Sequence, residues 1–121
     1  MFSLSHAGTT LVVLEHIYIM VLEMFLWTTP RGRKAFNLTP EYANQTQAMA
    51  ANQGLYNGFL AAGLLWAVVH PDQQVSKQLG TFFLGCVVAA GLFGAATVNK
   101  RIFFMQGLPA AVSLCLTLLY F

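Results

Sequence analysis

Residues 10–27 read TLVVLEHIYIMVLEMFLW, and their reading decides the fold. The run is close to the length a helix needs to cross hydrocarbon, about 20 apolar residues. Yet it carries Glu15, His16 and Glu23, which include two of the chain's four acidic residues. A charged group at bilayer depth costs about 2.5–3.5 kcal/mol on insertion scales. A partner helix, a wet cavity or a ligand has to offset that cost. The stretch therefore predicts a membrane helix whose polar side chains face other helices.

The rest of the 121-residue chain agrees. It is 57% hydrophobic and 8% charged, against about 25% charged for an average soluble domain. A soluble domain of this length could not bury so much apolar surface. Four segments of spanning length follow one another, at about residues 4–27, 43–69, 79–98 and 102–121. The expected fold is an all-α, polytopic membrane four-helix bundle, with residues 1–121 as a single domain. No Lys or Arg precedes the first segment, so a secretory signal peptide is not expected. Cys86 and Cys115 fall in apolar runs without metal-type spacing and read as buried free thiols. The net charge of +2 comes with no basic tract for nucleic acid. No HExxH, CxxC, P-loop or nucleophile elbow occurs, so no metal or cofactor is assigned.

Residues 28–38, TTPRGRKAFNL, read as a loop. After it, Thr39 is placed as an N-cap, Pro40 at the first helical position and Glu41 near the positive end of the dipole. This second helix can run to Val69, where His70-Pro71 stops it. Loops one and three hold Arg31, Arg33, Lys34, Lys100 and Arg101, and loop two holds only Lys77. The positive-inside rule then puts those two loops in the cytoplasm and both termini outside, in the periplasm of a bacterial inner membrane. Ala50, Gly54, Gly58 and Ala62 recur every four residues, and Gly54/Gly58 form a GxxxG pair that admits a close helix. That helix belongs either to the same chain or to a second copy in a homo-oligomer. Gly80, Gly85, Gly91 and Gly94 read as packing positions of the third span, and Pro109 as a kink at the start of the fourth. His6 and His70 fall at the membrane interfaces and are expected to be solvated.

The candidate site follows from helical geometry. At 100° per residue, His16 and Glu23 lie about 20° apart on one stripe with Met20 and Trp27. Their axial separation of about 10 Å prevents a direct hydrogen bond. A third group is needed, and the second helix offers Asn52, Gln53, Tyr56 and Asn57 as two i, i+4 pairs. Asn99 closes the third span and Gln106 opens the fourth on the same expected side. A carboxylate, an imidazole and amides can simply satisfy one another and fix helix register. They can also line a cytoplasm-facing cavity, with Glu23 and His16 handling a proton and the amides, Tyr56, Asn99 and Gln106 binding a ligand. Glu15 points about 80° away from Glu23.

Four stretches carry a family resemblance: HIYIMVLEMFLWTTPRGRK at 16–34, ANQGLYNG at 51–58, GAAT at 94–97 and QGLP at 106–109. Together they make the chain similar to the small bacterial integral membrane proteins known as domain of unknown function 1304. The resemblance implies a bacterial inner-membrane protein of four helices and brings no activity or catalytic roles with it. The function expected from the residues is binding of an amphipathic small molecule or lipid, with acid–base chemistry at Glu23. The alternatives are a small oligomeric transporter or exporter subunit with Glu23 as its proton site, and a structural or accessory membrane protein.

Overall fold

The computed structural model describes residues 3–121, and among these the chain is helical with no strand. Helix α1 is Leu4–Phe25, α2 is Pro30–Phe36, α3 is Pro40–Val69 and α4 is Gln73–Thr97. A short α5, Lys100–Ile102, runs through a π-helical turn, Phe103–Gly107, into α6, Leu108–Tyr120. The stretches Leu4–Phe25, Gln73–Thr97 and Lys100–Tyr120 are long and apolar enough to cross a membrane. Helix α3 has the length, at 30 residues. Its first half, however, carries Asn44, Gln45, Gln47, Asn52 and Gln53, which lower its apolar character. Leu11, Leu14, Phe82, Phe93 and Leu119 each expose more than half of their surface. Large apolar side chains turned outward in such number fit a protein whose outer face meets lipid.

Local chemistry explains the helix ends. Thr39 caps α3 by accepting from the Tyr42 N–H at 3.2 Å, as its sequence position predicts. The same Thr-Pro signature occurs ten residues earlier, and there the loop expectation fails. Thr29 accepts from the Gly32 N–H, Pro30 opens α2, and Asn37 ends it in the left-handed region at φ 55°. Asp72 caps α4 through Val75 at 3.0 Å, so that helix begins well before residue 79. At the last span, Pro109 has no N–H to offer the Met105 carbonyl. The helix widens just before it, and the Leu108 N–H reaches back five residues to the Phe103 carbonyl.

The chain divides into two compact units, and α1 and α3 each contribute to both. The first joins the stretch ending at Glu15 to Leu60–Phe121. Its core is Val12 and Val13 of α1, Ala61 and Leu64 of α3, Leu84 and Val87 of α4, and Ala110 of α6. Small residues set the distances within it. A Cβ placed on Gly91 would lie 2.7 Å from the Gly107 Cα, so α4 and the π turn touch backbone to backbone. Gly85 has nothing within 4 Å of its Cβ position, so it is not the packing residue it was expected to be. The cysteines are free, but Cys115 is exposed and Cys86 only partly buried, because apolar runs in this chain also face outward.

The second unit is His16–Phe59. Here the end of α1 lies antiparallel to the first half of α3. Met20 meets Gly58, Met24 and Glu23 meet Gly54, and Trp27 meets Thr46. The Trp27 indole N–H donates to Thr46 Oγ1 at 3.0 Å, and its ring packs on Phe36 at a centroid distance of 4.8 Å. Gly32 of α2 sits directly on the Leu26 backbone carbonyl, a place no side chain could take.

Candidate functional site

Glu23 is 3% exposed, and its Oε1 accepts a hydrogen bond from Asn57 Nδ2 at 2.5 Å. Its Oε2 has no hydrogen-bond partner among the described residues. The pair forms because α1 and α3 approach closely beside it. A Cβ on Gly54 would lie 2.9 Å from the Glu23 Cβ, and one on Gly58 would lie 2.7 Å from the Met20 sulfur. The GxxxG face is therefore filled by α1 of the same chain.

The other expected residues fall differently. His16 is fully buried in the same unit, at 1% exposure. Asn57 is the only one of the four polar α3 candidates that turns inward. Asn52, Gln53 and Tyr56 are exposed. Gln53 stands one turn before Asn57, so an exposed amide adjoins the buried pair along the helix. Asn99 is exposed and accepts from the Arg101 N–H at 2.9 Å as the cap of α5, and Gln106 is half-buried in the π turn. Both belong to the first unit. Glu15 is partly buried. No group of three or more His, Cys, Asp or Glu able to hold a metal ion occurs among the described residues.

One expectation is reversed. His6 is 8% exposed, not solvated. Its Nε2 lies 3.3 Å from Ser76 Oγ and its Nδ1 2.8 Å from Ser3 Oγ. The imidazole is drawn inward because Ser3 and Ser76 supply it with polar partners at that end of the first unit. Thr9 and Thr117 are buried beside them. A sequence signal for this cluster exists: Ser5/Thr9 and Ser113/Thr117 are i, i+4 hydroxyl pairs inside apolar helices. In each, the threonine donates to the carbonyl one turn back at 2.9 Å.

The chain is all-α, and its three helices long and apolar enough to cross a membrane, with carboxylate, imidazole and hydroxyl groups buried among the helices, fit a membrane protein. The chain belongs to the family described as protein of unknown function (DUF1304), whose profile matches residues 10–118. It is also similar to the uncharacterized protein YpaA of Lactococcus lactis subsp. lactis (strain IL1403), with 33% identity over 106 residues. That alignment covers 86% of this chain and 87% of the relative. No solved structure matches the chain.

Proposed function

We propose that this is a four-pass protein of the bacterial inner membrane in which Glu23 receives the polar group of an amphipathic small molecule or lipid and exchanges a proton with it. The observation that carries the reading is the Glu23–Asn57 pair. One carboxyl oxygen is fixed by the amide at 2.5 Å, and the other is left to accept or release a proton. Neutral side chains would fix helix register at less cost, so a carboxyl kept in this position argues for use. Exposed Gln53 and Tyr56, beside the pair on α3, are suited to meet a head group arriving from the surrounding leaflet. His16 serves as a buried positioning group of the same unit. Arg31, Arg33, Lys34, Lys100 and Arg101 support cytoplasmic placement of those connections.

Photo-crosslinking tests this reading. Membranes of the producing strain are loaded with a photoactivatable fatty acid, irradiated, and the labelled peptides mapped. Labelling concentrated on the α3 segment around Gln53 and Tyr56, and lost in Glu23→Gln, supports the reading. Uniform labelling along all apolar helices, unchanged by Glu23→Gln, overturns it and leaves a structural or accessory role.

A further inference from the structure

We propose that a second copy of the chain docks on the outward face of α3, in a parallel dimer along Gln45, Ala48, Asn52, Leu55 and Phe59. These residues all belong to the second unit and are all exposed. They follow one another at intervals of three, four, three and four, the heptad seam along which two helices pack. At 100° per residue the seam runs on the side of α3 opposite Ala50, Gly54 and Asn57, which turn inward.

The chemistry of the seam says what covers it. Where α1 turns outward it offers lipid Leu11, Leu14, Ile17 and Phe25. The outward face of α3 instead sets the amides of Gln45 and Asn52 among Ala48, Leu55 and Phe59. Neither amide makes a side-chain hydrogen bond among the described residues. Asn52 stands two residues from Gly54, which meets Glu23 and Met24 of the apolar run 10–27, so its amide falls at the depth of that run. An unpaired amide there carries a cost that a hydrogen bond between helices offsets. Lipid tails have no such bond to give.

A second copy has one. Copies inserted with the same sidedness are related by an axis along the membrane normal, so α3 lies parallel to its counterpart and each seam position meets itself. An amide both donates and accepts, so Asn52 facing the same residue of the other copy is self-complementary, and so is Gln45. A polar residue within such a seam also fixes the register of the pair. The area agrees. With Met49 and Tyr56 on its edge, the seam exposes on the order of 700 Å², near the share of about 800 Å² per partner in a standard-size interface. The seam contains neither Glu23 nor Asn57, so the dimer and the proton site stand or fall separately.

Oxidative cross-linking in native membranes tests the face. In a Cys86→Ala/Cys115→Ala background, single cysteines are introduced as Ala48→Cys and Leu55→Cys on the seam, and as Gln47→Cys and Gln53→Cys off it. All four positions are exposed, so accessibility does not separate them. Copper–phenanthroline should link the two seam variants into disulfide dimers severalfold more than the two others. Asn52→Asp sets like charges against each other and should cut the Leu55→Cys yield by about fivefold, whereas Gln47→Asp should leave it unchanged. Equal yields at all four positions, or no dimer from the seam variants, would overturn the interface. A Leu55→Cys yield that Asn52→Asp leaves unchanged would overturn the pairing of Asn52 within it.

Discussion

Asn57 donates to Glu23 across 2.5 Å, and Gly54, one turn earlier on α3, is what lets the two helices come close enough for it. The bond decides what each partner tolerates. Asn57→Leu leaves a buried carboxyl without its donor and should cost about 1–3 kcal/mol. Glu23→Gln keeps both volume and an acceptor oxygen. It should cost nearer to about 0.6 kcal/mol, the average for interhelical hydrogen bonds in membranes. Unfolding in mixed micelles reads both variants. Asn57→Leu proving no less stable than Glu23→Gln would contradict the pairing.

Two glycines offer a matched comparison. A Cβ on Gly54 would meet Met24 Cγ at 2.7 Å and Glu23 Cβ at 2.9 Å, whereas one on Gly85 meets nothing within 4 Å. Gly54→Ala should destabilise by about 1–3 kcal/mol through overpacking. Gly85→Ala should be neutral or stabilising by up to about 1 kcal/mol, because alanine is the better helix former. The same unfolding assay distinguishes them.

The Thr29 cap makes α2 more than a loop. Thr29→Ala removes the acceptor for the Gly32 N–H and should loosen α2 by about 1 kcal/mol. Arg31, Arg33 and Lys34 lie within α2, so limited trypsin digestion should cleave there faster in the variant than in the wild type. Equal rates would mean that Gly32 packing on Leu26, and not the cap, holds the segment.

The membrane arrangement has its own check. With four spans, a reporter fused after Phe121 reads as periplasmic and one placed in residues 73–78 likewise. A cytoplasmic signal at Phe121 with a periplasmic one at residues 28–38 would reverse the arrangement. Opposite sidedness of residues 3 and 121 would mean that α3 does not cross.

Periodic and capping signals made much of this fold legible in the sequence. The stripe His16, Met20, Glu23, Trp27 is visible at 100° per residue, and three of its members are the ones that dock on Gly58, Gly54, Asn57 and Thr46. Thr39-Pro40 marked a helix start, and the identical signal at Thr29-Pro30 was hidden by the cations and glycine that follow it. Asn57 could not be singled out from Asn52, Gln53 and Tyr56. Which side of a helix turns inward depends on the neighbour's contour, and Gly54 sets that contour. His6 was misplaced because hydropathy sees an interface residue, whereas its burial depends on Ser76, 70 positions away.

The central claim is that Glu23 retains an amphipathic guest. Its most direct test is mass spectrometry of the species that co-purify in mild detergent with the wild type, Glu23→Gln and, as a control at an exposed carboxylate, Glu41→Gln. The account predicts a defined amphipathic molecule at near-stoichiometric level in the wild type and Glu41→Gln, and its loss in Glu23→Gln. A wild-type preparation with no such molecule, or one that Glu23→Gln retains equally, would contradict it.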